Sequence, residues 1–358
     1  MADNRYDRQT RLRDFGERGQ AALTNAKVLV VGLGGLGLPV VQYLNAMGVG
    51  TLGLMDQDTV ELHNLQRQVL YSEDDINRLK LDVVLEKLEQ QNSETVFKPF
   101  DTFLTKQNAL TIIQDFDVVV DATDNFPTRY LINDACVILG KPFVYGALHG
   151  FEGHLSVFNH QDGPTYRCLY PKMPNPQEVP DCNDNGVLGV VPGIMGTLQA
   201  LETVKVITGI GEVLSGELMV FDGLTQRMSK MKFQTIAEHK KRKKLEEFYD
   251  PLDCVTATTI DPKVFRDIRT TQEITLVDVR SAKEFSASHL PEAEHIPLDQ
   301  LGQRPIPIPA SNKVYLICQS GKRSGIAAKQ LQTIYPNIEF CSILGGMNKV
   351  LPLVTDIQ

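Results

Sequence analysis

The stretch VLVVGLGGLGLPVVQYL, residues 28–44, decides the fold of the first part of this chain. Its opening apolar residues predict a buried strand, and the apolar spacing after the last glycine predicts a helix. Between them, Gly32, Gly34 and Gly37 have the G-x-G-x-x-G spacing. Glycines at these positions let the backbone turn tightly and approach a phosphate, whose charge then meets the helix N-terminus. The stretch predicts a Rossmann-like nucleotide-binding unit.

Strand-like and helix-like segments alternate through the first two thirds of the chain. Helical spacing of apolar residues is clear in DDINRLKLDVVLEKLEQQN, residues 74–92, and a second apolar helix is predicted within residues 186–209. Such alternation predicts an α/β fold with a mainly parallel sheet. A second α/β pattern starts near Thr256. The strand candidates of the first part are AKVLVVG, GTLGLMD, VFKPF, DVVVDAT, KPFVYGA and HLSVFN, and those of the second are ITLVDVR, KVYLICQ and IEFCSIL.

Composition excludes several classes of protein. A chain of 358 residues suggests two or three domains. The net charge of −8 argues against a general nucleic-acid binder, since phosphate attraction needs a basic surface. The polar N-terminus is no signal peptide, and proline and glycines break the longest apolar stretch, so no membrane span is expected. Six cysteines without any CxxC pair predict no disulfide framework and a cytoplasmic protein.

Charged residues near the glycine loop bear on its ligand. Asp56 follows the next strand, where an acid binds a ribose hydroxyl, and this alone fits NAD or FAD. Arg67 and Lys80 follow as cations, and Asp124 is predicted to end the strand in DVVVDATDN. Each of them alone could form a surface salt bridge. Together they favour cleavage of ATP, because cations neutralise the triphosphate while an acid holds Mg²⁺.

The same motifs carry a family resemblance over about residues 5–235. RYDRQTRL, VGLGGLG, LMDQDTVELHNLQRQ, DATDNFPTRYLIN and NGVLGVVPGIMGTLQALE, in this order, resemble the ubiquitin-activating-type adenylyltransferases of sulfur-carrier proteins. The molybdopterin-synthase and thiamine-pathway adenylyltransferases are the nearest in pattern. The resemblance implies a homodimer in which Mg²⁺ and ATP activate the C-terminal glycine of a ubiquitin-like protein that ends in Gly-Gly.

The resemblance also implies roles for individual residues. Asp124 would manage magnesium, with Asn125 beside it at the nucleotide, and Arg8 would reach across the dimer into the partner's site. Cys182 stands where this family has a cysteine that bonds covalently to the carrier, although from composition it is equally a plain loop thiol. The nucleotide would be held by Gly32, Gly34, Gly35 and Asp56, with Asn64, Arg67 and Lys80 around its phosphates.

One feature of the family is missing from this sequence. These relatives usually carry a structural zinc on two CxxC pairs, but Thr165 replaces the first cysteine of the first pair, which leaves Cys168 alone. The second pair should lie near EHKKRKK, residues 238–244, where there is no cysteine. Zinc prefers four ligands, and one thiol cannot supply them. We therefore predict that zinc is absent and that Cys168 is a small buried residue.

The second reactive cysteine predicted here is Cys318, which ends an apolar run and begins CQSGKRS. Backbone N–H groups of such a loop converge on an anion at the sulfur, and Gly321 permits the curl. Lys322 and Arg323 would add positive potential and favour the thiolate. The loop can serve phosphate-ester hydrolysis or sulfur transfer. Its arginine comes five residues after the cysteine, not the six of cysteine phosphatases, which favours sulfur transfer.

Residues from about 257 to 358 resemble a rhodanese domain, on LVDVRSAKEFSASHLPEAEHIPL, CQSGKRS and LGGM. By this likeness residues 318–323 (Cys318, Gln319, Ser320, Gly321, Lys322 and Arg323) form the persulfide loop. Four further residues match the family's framework and are expected to be structural: Asp278, Arg280, Glu284 and His289.

The predicted protein therefore has an adenylation domain (1–237), a charged linker (238–256) and a rhodanese domain (257–358). It would adenylylate a sulfur carrier, most readily the molybdopterin-synthase carrier, and convert it to a thiocarboxylate with sulfur from a donor such as a cysteine desulfurase. Thiamine-pathway and tRNA-thiolation carriers stay open. So do adenylation without sulfur transfer, a silent scaffold and a NAD- or FAD-binding redox protein.

Overall fold

The computed structural model describes residues 5–174, 186–247, 249, 258–302, 304–309 and 311–355. The chain divides into two compact units, residues 1–249 and 250–358. Each unit is built around one sheet.

The first unit contains an eight-stranded sheet in the order β3-β2-β1-β4-β5-β6-β7-β8. The first five of these strands pair in parallel, and β6, β7 and β8 extend the sheet as antiparallel strands. Each of the six predicted strands is present. The strands are β1 (Lys27–Val31), β2 (Thr51–Met55), β3 (Val96–Phe100), β4 (Val118–Asp121), β5 (Phe143–His149), β6 (Glu152–Phe158), β7 (Glu217–Asp222) and β8 (Arg227–Lys232).

Helices cover both faces of this sheet, as the continuous apolar runs of β1 and β4 require. Each sheet face packs a separate core of buried apolar residues. The helices are α1 (Asp7–Thr10), α2 (Gly16–Asn25), α3 (Gly37–Ala46), α4 (Lys80–Gln91), α5 (Ala109–Ile113), α6 (Phe126–Leu139), α7 (Tyr166–Leu169) and α8 (Val190–Thr208).

Helix α8 corrects the expectation that proline and glycines break this apolar stretch. It runs unbroken for 19 residues and, among the described helices, is the one long and apolar enough to cross a membrane. Pro192 falls in its first turn, where a missing N–H costs little. Half of the apolar window is buried in the unit, against α3 and the strands β4 to β6. This burial is what a core helix of a folded domain shows.

Glycine also sets how closely α8 approaches the nucleotide loop. A Cβ on Gly196 would lie 2.3 Å from the carbonyl oxygen of Leu36, the residue before α3. The helix therefore packs against the glycine loop at a distance that no other residue allows.

The structure places the end of the first unit later than the predicted linker start at residue 238. Leu245 packs against the apolar core of the unit, and Tyr249 is buried. This part of the charged segment therefore belongs to the first unit. The sequence did not reveal this packing, because a run of lysines and glutamates is ordinarily interpreted as solvent-exposed.

The second unit contains a five-stranded, fully parallel sheet in the order β11-β10-β12-β13-β9. The strands predicted from ITLVDVR, KVYLICQ and IEFCSIL are β10, β12 and β13. The strands are β9 (Thr258–Ile260), β10 (Thr275–Asp278), β11 (Ala293–His295), β12 (Lys313–Ile317) and β13 (Glu339–Ile343). The helices are α9 (Pro262–Thr271), α10 (Ala282–Ala287), α11 (Lys322–Ile334) and α12 (Gly346–Thr355).

Candidate active sites

The glycine loop leaves β1 at the carboxyl edge of the sheet and turns into α3. Gly32 has φ +97°, and a Cβ there would lie 2.7 Å from the carbonyl oxygen of Ala122. A Cβ on Gly37 would lie 1.9 Å from the Gly32 carbonyl oxygen. Gly34, by contrast, faces open space on its Cβ side apart from a Gln68 amide nitrogen at 3.5 Å. The loop is therefore shaped by glycine and has room for a ligand beside Gly34.

Asp56 supports the glycine loop from β2. Its Oδ2 accepts a hydrogen bond from the Leu33 N–H (2.7 Å), and its Oδ1 accepts one from the Asp58 N–H (2.8 Å). Burial raises the pKa of Asp56, and the positive charge of Lys80 opposes that rise. Each carboxylate oxygen keeps a further lone pair, so Asp56 can still accept from a ribose hydroxyl. The structure thus brings the predicted Asp56 and the loop together.

Lys80 lies at the start of α4 and is buried. Its Nζ is 3.5 Å from Oδ2 of Asp58, and its N–H donates to the Asp58 carbonyl oxygen (2.9 Å). Asp58 was not a predicted site residue. A buried ammonium needs a counter-charge, and Asp58 supplies one that a phosphate can replace.

The segment with Asn64 and Arg67 packs against the loop from the other side. Asn64 is buried in a short 3₁₀ turn, where its Oδ1 accepts from the Glu61 N–H (3.3 Å). Arg67 donates from Nη1 to the His63 carbonyl oxygen (3.1 Å). A Cβ on Gly35 would lie 3.3 Å from the Arg67 carbonyl oxygen. The backbone of Arg67 therefore lies beside Gly35, and a contact of its side chain with phosphates stays a prediction.

The acid that ends β4 is Asp121, not Asp124 as the sequence suggested. Asp121 is fully buried, and its Oδ1 accepts from the N–H (3.1 Å) and the hydroxyl (2.6 Å) of Thr123. Burial raises its pKa, while Arg129 acts to lower it. Arg129 in turn donates to the Thr123 carbonyl oxygen (2.9 Å). Asp121 and Arg129 hold the loop on which Asp124 stands exposed.

Asn125 has a structural task within the chain. Its Oδ1 accepts from the Thr128 N–H (3.0 Å) and so caps the N-terminus of α6, with Pro127 in the first turn. The cap fixes the helix start directly after Asp124. A contact of Asn125 with a nucleotide stays a prediction.

Arg8 belongs to α1, which packs at the far end of α3 from the glycine loop. Tyr6 contacts Gly48, and Gln9 donates from its amide to the Met47 carbonyl oxygen (3.0 Å). Ten residues of helix, about 15 Å, separate that end of α3 from the loop. Arg8 itself is exposed. The fold thus holds the helix of Arg8 away from the glycine loop of its own chain.

The residues present fit ATP and Mg²⁺. The open cradle beside Gly34, the loop N–H groups and the Lys80 ammonium suit a polyphosphate. Mg²⁺ is usually bound by one or two carboxylates together with substrate phosphates, and exposed Asp124 supplies such a carboxylate. These side chains all stand at the carboxyl edge of the parallel strands, where α/β sheets bind ligands.

The residues present do not fit zinc. Cys168 is buried, and its sulfur accepts hydrogen bonds from the N–H groups of Thr165 (3.4 Å) and Ile236 (3.3 Å). Within the described ranges, no cluster of three or more His, Cys, Asp or Glu could hold a metal ion. Cys182, the other predicted reactive thiol of this unit, lies outside the described residues.

In the second unit Cys318 follows β12 and is buried. The Gly321 N–H points at its sulfur (3.1 Å), and the Ser324 Oγ lies 3.5 Å from the same atom. Gly321 has φ +89° and is the N-cap residue of α11. The Met347 N–H donates to the Cys318 carbonyl oxygen (2.8 Å). The cysteine is therefore held beside the N-terminus of α11, with the Gly321 N–H directed at its sulfur.

Arg323 differs from expectation, because its charge is paired. Its Nη1 donates to Oε2 of Glu284 (2.8 Å), and its Nη2 binds the other oxygen. Burial acts to raise the pKa of Glu284, but hydrogen bonds from Arg323 and Ser281 lower it to about 2. The backbone group that the structure places at the Cys318 sulfur is the Gly321 N–H, whereas the Arg323 guanidinium binds Glu284. The side chain of Lys322 lies outside the described part of the structure.

Of the four expected framework residues, Arg280 binds the loop at Gln319 and Glu284 binds it at Arg323. Arg280 is buried and binds both oxygens of Asp278 (3.0 and 2.7 Å) while its Nη1 donates to the Gln319 amide oxygen (3.0 Å). The ring of His289 stacks on Phe285 with centroids 4.1 Å apart. Asn348, which the sequence analysis missed, accepts from the Gln319 amide at 2.6 Å.

Comparison with known proteins matches both units. A model of the ThiF family matches residues 6–245, and a model of the rhodanese-like domain matches residues 261–351. An adenylyltransferase and sulfurtransferase MOCS3 of Culex quinquefasciatus is 39% identical, over 92% of this chain and 82% of the relative. The MOCS3 of Xenopus laevis is 38% identical, over 92% of this chain and 81% of the relative.

Solved structures share the fold of the first unit. Escherichia coli MccB with ATP superposes with a TM-score of 0.59 and 24% identity, over 66% of this chain and 72% of MccB. MccB with a succinimide has a TM-score of 0.59 and 23% identity, over 66% of this chain and 72% of MccB. At this identity the likeness shows the fold.

Proposed function

The chain belongs to the ThiF family and carries a rhodanese-like domain, and from this premise we propose that it performs two consecutive reactions. It is an adenylyltransferase and a sulfurtransferase. The first unit adenylylates the C-terminal glycine of a ubiquitin-like sulfur carrier with ATP, and the second unit supplies the sulfur. The observation that carries this proposal is the pair of strand–loop–helix sites in one chain, one open to a phosphate and one closed around a thiol.

In the first reaction the carrier's terminal carboxylate attacks the α-phosphorus of ATP, and pyrophosphate leaves. Lys80 and Arg67 would balance the charge of the triphosphate, while the loop N–H groups after Gly32 bind phosphate oxygens. Asp124 would hold Mg²⁺, which supplies Lewis-acid charge to the phosphates when bound. Asp56 would bind the ribose while it fixes Leu33. The product is an acyl-adenylate.

In the second reaction sulfur moves from Cys318 to that acyl group. The terminal sulfur of a Cys318 persulfide attacks the activated carbonyl, AMP leaves, and an acyl disulfide joins carrier and enzyme. A thiol then attacks the Cys318 sulfur, forms a disulfide with it and releases the carrier as a thiocarboxylate. Cys182 is the proposed second thiol. The persulfide itself would come from a cysteine desulfurase.

The molybdopterin-synthase carrier is the proposed substrate, in the cytoplasm, with thiamine-pathway and tRNA-thiolation carriers as alternatives. Pyrophosphate exchange into ATP, measured with purified carriers of each kind that end in Gly-Gly, tests this choice. Exchange that depends on the molybdopterin-type carrier supports the proposal. Exchange with another carrier alone would identify that carrier as the substrate instead. No exchange with any carrier, together with tight binding of NAD or FAD, would overturn adenylation.

We further propose that the active enzyme is a homodimer in which Arg8 completes the partner's site. Support comes from the exposure of Arg8 at the end of α3 remote from its own loop. Arg8→Ala and Asp124→Ala chains should each be inactive in pyrophosphate exchange. When they are mixed, heterodimers contain one site with both residues intact, so activity should return. Mixtures that stay inactive although heterodimers form would show that Arg8 acts within its own chain.

A further inference from the structure

The charged segment that leaves the first unit is held by a buried carboxylate, Asp134 of α6. Its side chain is fully buried and accepts hydrogen bonds from Arg167 Nε (2.7 Å) and Nη2 (2.8 Å). The Tyr249 hydroxyl donates to the same carboxylate at 2.8 Å. The Nε of Arg242 lies 3.2 Å from Oδ1, and the Asn133 amide donates to that oxygen at 2.8 Å.

A second acid ties the two arginines together. Oε1 of Glu246 lies 3.0 Å from Nη2 of Arg167 and 3.0 Å from Nη2 of Arg242. The Arg167 guanidinium stacks over the Tyr130 ring at 4.7 Å. Two cations therefore face two anions, and every charge is paired, which is what a buried ionic cluster needs to be stable.

This cluster joins the two places where the family has its zinc ligands. Arg167 comes from α7, beside Cys168, and Arg242 lies in EHKKRKK. Cys168 contributes a sulfur that accepts hydrogen bonds from the Thr165 and Ile236 N–H groups. Ion pairs and hydrogen bonds thus stand where metal bonds would cross-link the same two segments.

The position of the cluster matters for sulfur transfer. Tyr249 is the last residue of the first unit, and residues 250–257 lie between it and β9 of the second unit in the sequence. If the segment from residue 236 onward came free, the connection between the units would grow from eight to 22 residues. Because effective concentration falls roughly as the −3/2 power of linker length, the persulfide would meet the acyl-adenylate about 4.5-fold less often.

We propose that the Asp134 cluster, in place of zinc, anchors residues 236–249 to the first unit and thereby shortens the connection that delivers the Cys318 persulfide. The anchor is a matter of folding alone, whereas its role in delivery rests on the proposed function.

The test compares Arg242→Ala with Lys241→Ala in the full chain. Lys241 is the neighbouring exposed cation, which pairs with Glu238 at the surface, so it is a matched control. Tyr249→Phe is a milder variant that removes only the hydroxyl. Hydrogen–deuterium exchange over residues 236–247 should rise in Arg242→Ala and Tyr249→Phe and stay at the wild-type level in Lys241→Ala.

Three activities are then measured on the same proteins. Pyrophosphate exchange and transfer of sulfur from thiosulfate to cyanide should change less than twofold, because neither needs the two units to meet. If Arg242→Ala lengthens the connection as proposed, the rate of thiocarboxylate formation on the carrier should fall about 4.5-fold in this variant. An unchanged rate of thiocarboxylate formation despite raised deuterium exchange would overturn the role in delivery.

Metal analysis decides between the cluster and zinc. We expect less than a tenth of an equivalent of zinc per chain, and no change in deuterium exchange of residues 236–247 on treatment with a chelator. One equivalent of zinc, with loss of protection when it is removed, would overturn the anchor as proposed. Failure of the proposed function looks different: the wild type itself would form no thiocarboxylate, while the deuterium comparison would still decide the anchor.

Discussion

Two strand–loop–helix turns, one in each unit, use the same backbone device for different chemistry. In the first, β1 leads through Gly32 to α3, and in the second, β12 leads through Gly321 to α11. Both glycines have positive φ, +97° and +89°, and a Cβ on either would meet backbone within 2.8 Å. Each turn leads directly into a helix N-terminus, where backbone N–H groups have no partner within the helix.

The difference is what stands at that point. Beside Gly34 there is open space, so an anionic ligand can approach the backbone N–H groups of the loop. At Gly321 the N–H meets the protein's own sulfur at 3.1 Å. The charges follow this difference: Lys80 faces an acid that a phosphate can displace, whereas Arg323 is held by Glu284. Of these two cations, Lys80 can therefore exchange its partner for a phosphate, whereas Arg323 is engaged by a carboxylate of its own unit.

Removal of the thiol should give the largest effect. Cys318→Ala deletes the atom that carries sulfur, so transfer from thiosulfate to cyanide and thiocarboxylate formation should fall on the order of 10³-fold or more. Pyrophosphate exchange should stay within twofold of wild type. If exchange falls as well, the two turns are not independent sites.

Loss of the exposed carboxylate should give the converse pattern. Asp124→Ala removes the proposed Mg²⁺ ligand, and pyrophosphate exchange should fall about 10²- to 10³-fold. Transfer of sulfur from thiosulfate to cyanide should not change. Titration with Mg²⁺ provides the control, because a variant with only a weaker metal site recovers at high Mg²⁺, and full activity at low Mg²⁺ would remove Asp124 from the site.

Alanine at each of the two glycines tests the shared backbone device directly. Gly32→Ala forces a side chain into a left-handed turn against Ala122, and Gly321→Ala does the same against Gly345. We expect a loss of about tenfold in the activity of the affected unit alone, measured as ATP dependence of pyrophosphate exchange or as thiosulfate turnover. Equal loss of both activities in either variant would show that the units unfold together.

The smallest effect concerns the paired charge beside the persulfide loop. The lowered pKa of Glu284 stabilises the folded state above the unfolded value near 4.5, and this stabilisation disappears as pH falls toward about 2. Glu284→Gln should therefore cost about 1 kcal/mol at pH 7, after allowance for partial exposure, and almost nothing at pH 2. Denaturant unfolding of wild type and variant at both pH values measures this cost. An equal cost at both pH values would show that the charge of Glu284 does not contribute to stability.

Much of the candidate chemistry could be predicted because it depends on local sequence. The glycine spacing, the acid about twenty residues later and the cysteine in its six-residue loop each act through neighbours close in the chain, so periodicity and motif suffice. The six early strands and the helices 80–91 and 190–208 were visible for the same reason. Strand β8 was not, since both of its faces are exposed and it has no apolar pattern to reveal it.

The positions of carboxylates relative to the ends of the strands could be read only from the structure. Sequence alone suggested Asp124 as the end of β4, but pairing with β1 and β5 stops the strand at Asp121, which is buried and holds the loop. Likewise, the carboxylate that pairs with Arg323 belongs to Glu284, 39 residues earlier in the chain. Neither pairing has a local signal.

The sequence by itself determined the two families, the two strand–loop–helix turns and the absence of the usual CxxC pairs. Only the tertiary structure decided what fastens the end of the first unit, because Asp134 meets Arg167 across 33 residues and Tyr249 across 115. A run of lysines and glutamates reads as solvated until burial selects which of its charges has a partner. Burial removes water, the competitor of every ion pair, and only the folded chain fixes where water is removed.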